Sequence, residues 1–440
     1  MARIAFIMDK LFHRYGLHGQ STLPFILAGV FAGGCAVPGV MAARAIPDEQ
    51  SRMATILTVP FMNCMAKIPL YTLIVNIYFA DHKSWAMLFI STITIITALG
   101  VARLLTITVI SKMPKAPFVM ALPAYHLPTI GSVLRRALER VWIYLKKVGT
   151  IVVVVAVVIF VLLRWPGINK QQSLEYQNQM EQAEDVFYTK VGANNIYMNQ
   201  ISGDNLLILL NYYNDYKRAL FASGGGKRKL AVDKKFRLRN DLFYSLIKPG
   251  QDKDAKKISR AFKKLYSKRK RFRRKMKEER ILSSFLGMTG KMLEPVTRVA
   301  GFNWKINVAL LSSFAARESS VATLGVLFRK GAEDNLTLEQ RMDNEGKAKG
   351  FTSLNALALM LFFALYPPCL ATSIMIKVQT QSYKWMFFSI IFPTTLGLIV
   401  AGLAYSAGTF LNITGIWMMC LFYGTALAVT FALGFLKNEN

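Results

Sequence analysis

Residues 31–44 read "FAGGCAVPGVMAAR". The stretch is apolar enough for the interior of a bilayer, yet it carries Gly33, Gly34, Cys35 and Pro38 at its middle. In hydrocarbon every backbone N–H and C=O must be satisfied within the protein. A broken backbone is therefore tolerated only where protein or a cavity surrounds it. The same kind of interruption recurs at "TVPFMNC" (58–64), "AARESS" (315–320) and "YPPC" (366–369).

These breaks interrupt four of eight apolar segments, at about 20–43, 53–79, 85–111, 147–164, 304–328, 354–376, 385–406 and 414–436. Each is near the ~20 residues that cross ~30 Å of hydrocarbon. With 53% hydrophobic residues in 440 and a mean hydropathy of +0.31, the chain reads as an all-α polytopic membrane protein. The breaks come in two pairs, each a short broken segment followed by a proline-broken span that ends in cysteine. That weak symmetry predicts two inverted gate repeats, each a re-entrant hairpin plus a broken transmembrane helix. If all eight segments crossed, the basic loop 112–146 would face opposite the N-terminus; with 20–43 and 304–328 as hairpins, the preferred reading, six spans remain. The N-terminus, 44–52, the basic loop 112–146, 377–384 and the C-terminus then share one face, which the positive-inside rule makes cytoplasmic.

The expected organisation is an amphipathic surface helix over 1–19, with Ile4, Ile7, Met8 and Leu11 on one side. A first repeat follows over 20–167, a polar basic insert over 168–303, and a second repeat over 304–440. Residues 170–280 hold 27 Lys/Arg against 12 Asp/Glu, half of the net charge of +30. This topology puts the insert outside the cytoplasm, since long domains translocate largely regardless of charge. Its end, "KKISRAFKKLYSKRKRFRRKMKEER" (256–280), reads as a solvated helix, with contact to membrane lipid or an acidic partner as the competing reading. No stacking or groove-reading motif accompanies the charge, so nucleic acid is not an expected partner.

Glu318 is the sharpest chemical signal, because an ionisable residue inside a membrane segment is costly and marks a functional position by default. A structural pair with Arg317, or a place at the interface, is the competing reading. Cys35, Cys64 and Cys369 each sit at a glycine or proline break, where helix ends and unpaired carbonyls can face a cavity. Thiolates suit late first-row divalent metals, and Asn63 can add an oxygen ligand. Against that, a lone membrane cysteine is usually a small inert hydrophobe. Cys420, in a plain span, keeps that reading, and the four cysteines form no disulfide framework. His13, His18 and His126 stand at no ligand spacing, and Met62 and Met65 read as apolar packing. "GMTGKML" (287–293) and "SGGGKRKL" (223–230) lack the phosphate-loop pattern. With no catalytic constellation either, the chain is not expected to be an enzyme by itself.

Several motifs in order, "MARIAFIMDKLFHRYGLHGQSTLPF", "GGCAVPGVMAAR", "ATILTVPFMNCMAKIPLY", "ALPAYHLP", "LEPVTRVAGFNWKINVALLSSFAARES" and "LYPPCLATSIMIK", resemble the membrane domain of the ferrous iron transport protein B family. The resemblance implies a multi-pass transporter of the bacterial inner membrane that moves Fe²⁺ as its substrate. Cys35, Cys64 and Cys369 then occupy the family's cysteine positions, and Glu318 its hairpin glutamate. The family's G-protein domain is not matched, so GTP would act only through a missing or separate G domain, in a fragment or split system. A separate GTPase, a small cytoplasmic iron-transport accessory protein and a homo-oligomer are the partners this implies. The chain departs from the family at Ala36, where asparagine is usual, and at Ala121 and Gln379, where glutamate is usual. The long basic insert departs too. A nucleoside-type or other small-solute carrier of the same gate architecture, and a non-transporting membrane scaffold or sensor, remain the rival readings.

Overall fold

The computed structural model describes residues 2–29, 33–114, 129–144, 149–192, 201, 204–222, 227–251, 253–317, 319–327, 342 and 351–435. Glu318, Ala121 and His126 lie outside the described residues. The chain forms two compact units. The first comprises Met1–Leu162, Thr289–Val326 and Met342–Asn440, and the second Leu163–Met288 with Leu327–Arg341.

In the first unit, α1 (Ala2–Arg14) turns Ala5 and Phe12 inward and leaves Ile4, Ile7 and Leu11 exposed. Met8, on the same side, is half-buried against the core. Then come α2 (Thr22–Ala28) and α3 (Ala36–Ala42), seven residues each and so ~10 Å long, too short to cross a bilayer. They pack against one another as the two arms of a hairpin. Helix α4 (Glu49–Thr58) starts at Asp48, whose Oδ2 accepts from Ser51 N at 2.8 Å. Pro60 cannot donate to a helical ladder, and the chain passes through two 3₁₀ turns, Val59–Phe61 and Met65–Lys67, before α5 (Ile68–Tyr78). Uninterrupted α6 (Lys83–Ile107), then α7 (Ile130–Tyr144) and α8 (Thr150–Arg164), follow.

The second unit holds α9 (Lys170–Val191), α10 (Asp204–Ala222), α11 (Lys227–Arg239), α12 (Asp241–Ile247) and α13 (Lys253–Leu282). Phe187, Leu209, Tyr213, Leu246, Phe262 and Leu265 close a core of its own. Burial would raise the Asp233 carboxyl, but the Lys248 ammonium at 2.8 Å and the Tyr216 hydroxyl at 2.6 Å hold it below its ordinary range.

The chain continues through α14 (Phe285–Thr297) into α15 (Trp304–Ala315) and α16 (Ser319–Leu327). Ser312 Oγ meets Thr323 Oγ1 at 2.9 Å. Residues eleven apart along one helix would be separated by ~16 Å, so α15 and α16 double back. Last come α17 (Ser353–Leu365), α18 (Leu370–Thr380), α19 (Tyr383–Phe410) and α20 (Gly415–Phe435). Every residue of α17 from Leu354 onward is buried.

Among the described residues, four helical stretches are long and apolar enough to cross a membrane: 80–107, 353–380, 383–410 and 415–435. The last two bury only 28% and 17% of their apolar windows. Helices that apolar, with Phe410, Trp417 and Phe431 turned outward, fit lipid as their surroundings. The all-helical polytopic architecture read from the sequence is what the structure shows. Three of the four interrupted segments are broken at glycine or proline, and the fourth between Ala315 and Ser319, where neither residue stands.

Candidate functional site

The first hairpin is fixed to the break between α4 and α5. Gly29 adopts φ +122°, and a Cβ there would fall 2.2 Å from the Asn63 carbonyl oxygen, so only glycine lets the two segments approach. Cys35 N donates to Leu27 O at 2.9 Å, and Met65 N donates to Gly34 O at 3.0 Å. Gly34 and Cys64 form a parallel bridge. Cys35 and Cys64 are thereby brought to neighbouring positions, one on the hairpin tip and one on the break.

The second hairpin reaches the same place. The Arg317 guanidinium is buried, and its Nη1 donates to Cys64 Sγ at 3.5 Å. Its Nη2 donates to the carbonyls of Tyr366 at 3.3 Å and Pro367 at 3.0 Å. Pro367 lies two residues before Cys369, whose Sγ stands 3.1 Å from Thr372 Oγ1. Lys67 is fully buried, and Nζ donates to Phe61 O at 3.3 Å and Ala364 O at 2.8 Å. Lys67 and Arg317 lie within electrostatic reach of each other and of Cys64 and Cys369.

The cysteines share a local role. Each stands immediately before a helical segment: Cys35 before α3, Cys64 before the 3₁₀ turn at Met65, and Cys369 before α18. Cys64 (φ −68°, ψ 154°) and Cys369 (φ −60°, ψ 158°) have nearly the same backbone conformation. Asn63 commits its Nδ2 to Ile90 O at 3.1 Å and Thr94 Oγ1 at 2.9 Å. Its buried Oδ1 has no hydrogen-bond partner among the described residues, and neither does the buried Tyr71 hydroxyl.

Among the described residues no three His, Cys, Asp or Glu side chains gather into a metal-holding cluster, and Glu318 lies outside those residues. Sequence reasoning passed over Lys67 and the contacts of Arg317, although the rule that singles out Glu318 applies equally to both. His18 Nδ1 accepts from Gln20 N at 3.1 Å, a structural cap, and Met65 is exposed. Lys291, Glu294, Arg298, Asn355 and Tyr405 line an open cleft of about 940 Å³ that none of the cysteines borders.

The sequence matches the family model Gate (nucleoside recognition) over residues 1–78 and 145–382, and that of the ferrous iron transport protein B C terminus over 87–140. It is 32% identical over 415 residues to a Fe(2+) transport protein A/Fe(2+) transporter FeoB fusion protein of Porphyromonas gingivalis, covering 93% of this chain and 40% of that protein. It is 25% identical over 409 residues to a Fe(2+) transporter FeoB of Staphylococcus aureus, covering 93% and 44%. For the Fe(2+) transporter FeoB of Campylobacter jejuni the figures are 26% over 403 residues, covering 91% and 48%. The chain thus spans under half the length of these curated relatives. No solved structure matches.

Proposed function

The chain belongs to the Gate family, and from that premise we propose that it forms the membrane gate of a ferrous iron importer, moving Fe²⁺ or a similar divalent metal into the cytoplasm across a bacterial inner membrane. The observation that carries the reading is the convergence on Cys64. Backbone pairing brings Cys35 beside it, and the second hairpin's Arg317 spans from its sulfur to the carbonyls just before Cys369. A soft thiolate set beside helix-end carbonyls suits Fe²⁺, whereas a nucleoside has no use for thiolates. Asn63 Oδ1 would add a hard oxygen, and Glu318 would compensate charge.

The buried Arg317 guanidinium opposes a second cation at Cys64. Unit charges some 4 Å apart repel by about 4 kcal/mol at an effective dielectric of 20. Arg317 therefore has to leave Cys64 before a divalent ion can take that sulfur, and the hairpins supply the parts that move. Alternating access follows from the two hairpin-bearing repeats shifting against each other. The chain itself is not the enzyme of the system in this reading. GTP hydrolysis comes from a G domain elsewhere, and the transport protein A fused to the P. gingivalis relative points to a small accessory partner.

Cys64→Ser and Glu318→Ala should each lower metal-dependent uptake by about ten-fold while membrane expression persists. Normal uptake in both variants would defeat the site. Competition of Fe²⁺ against a nucleoside on the purified protein separates this reading from a nucleoside-type carrier.

A further inference from the structure

The charge of α13 is arranged rather than merely abundant. Lys257, Arg260, Lys264, Lys268, Arg271 and Lys275 follow one another at spacings of three and four residues, and all are exposed. At 100° per residue they fall within one narrow stripe ~27 Å long. The opposite side of the helix is committed. Ile258, Phe262, Leu265 and Tyr266 are buried in the core of the second unit, where α13 packs on α9, so the stripe cannot roll away from solvent.

Of the acidic groups near the helix, Asp254 and Glu278 stand towards its two ends, and two others are engaged. Arg269 pairs with Glu184, and Tyr176 donates to Glu279 at 2.5 Å. None of the six stripe residues makes an ion pair among the described residues. Like charges at these spacings destabilise a helix by a few tenths of a kcal/mol per pair. A row of them is a liability that an anionic surface turns into an attraction.

We propose that the α13 stripe binds the anionic headgroups of membrane lipid. Chain continuity favours lipid over an acidic protein. The unit is entered directly from α8, "TIVVVVAVVIFVLLR", and the returning chain closes on the entry point, with Phe285 N donating to Trp165 O at 3.1 Å and their rings 5.2 Å apart. The covalent link to an apolar helix makes lipid the anionic surface within reach of this unit, and each cation close to such a surface strengthens adsorption about five-fold.

The test uses the full chain in nanodiscs of phosphatidylcholine alone or of equimolar phosphatidylcholine and phosphatidylglycerol. Acetylation rates of individual lysines are read by mass spectrometry. Lys257, Lys264, Lys268 and Lys275 should react about five-fold more slowly in the anionic discs, with high salt removing the protection. Lys190 on α9 serves as the control and should not change. In the combined variant Lys257→Gln, Lys264→Gln and Lys268→Gln, with unchanged helical content, Lys275 should lose its protection. Equal rates in the two discs would overturn the proposal. So would protection that arises only when polyglutamate is added, which would reassign the stripe to an acidic protein.

Discussion

Lys67 ties together the two proline breaks of the membrane unit. Its Nζ accepts no bond in the ammonium form, and it donates to Phe61 O at the 58–64 break and to Ala364 O in the last turn of α17. Both are carbonyls that an interrupted helix leaves without an intrahelical donor. Taking an ammonium out of water costs several kcal/mol, so the position is stable only because those bonds repay it. Lys67→Met keeps most of the length of the side chain and removes both bonds. Two buried carbonyls left unpaired cost about 1–3 kcal/mol each, partly offset by no longer burying the charge. Thermal unfolding of the detergent-solubilised protein should show a net loss of about 2 kcal/mol. An unchanged midpoint would mean that neither carbonyl depends on Lys67.

At the level of elements, the first hairpin depends on how closely its tip meets the Asn63–Cys64 backbone. Gly29→Ala places a methyl group 2.2 Å from Asn63 O at a φ that L-residues rarely adopt, so the tip has to retreat. The expected loss is about 2–3 kcal/mol, accompanied by faster maleimide labelling of Cys64. Gly424→Ala in α20, where an added Cβ meets nothing within 4 Å, is the neutral control. Equal behaviour of the two variants would remove the tip from the account. These breaks were legible in the sequence because glycine, proline and asparagine change backbone chemistry locally, whatever the tertiary fold. The partners of the broken ends were not legible. That Lys67 should reach Ala364, or Arg317 reach Pro367, depends on contacts between residues about 300 and 50 positions apart. The second unit was half legible. Its basic run was readable as a helix, but the interleaved Ile258, Phe262, Leu265 and Tyr266 mark a buried face, which a reading by charge alone passes over.

For the molecule as a whole, the question is whether half of its net charge takes part in moving metal. Trp165 and Phe285 bound the 119 intervening residues and are hydrogen-bonded to each other. A segment whose ends meet can be removed without stretching what remains, as with any inserted domain. Replacing residues 166–284 with a short glycine–serine turn deletes the second unit's core together with the α13 stripe. It leaves Cys35, Cys64, Lys67, Arg317 and Cys369 in place, all of which belong to the first unit. If the first unit is the gate, Fe²⁺ uptake by the excised chain should stay within about two-fold of the parent, measured per molecule in the membrane. A fall of ten-fold or more with normal membrane expression would make the insert part of the transport machinery. Retained uptake combined with loss of a bound partner would instead separate two tasks within one chain, with metal handled at the breaks and docking handled by the basic unit.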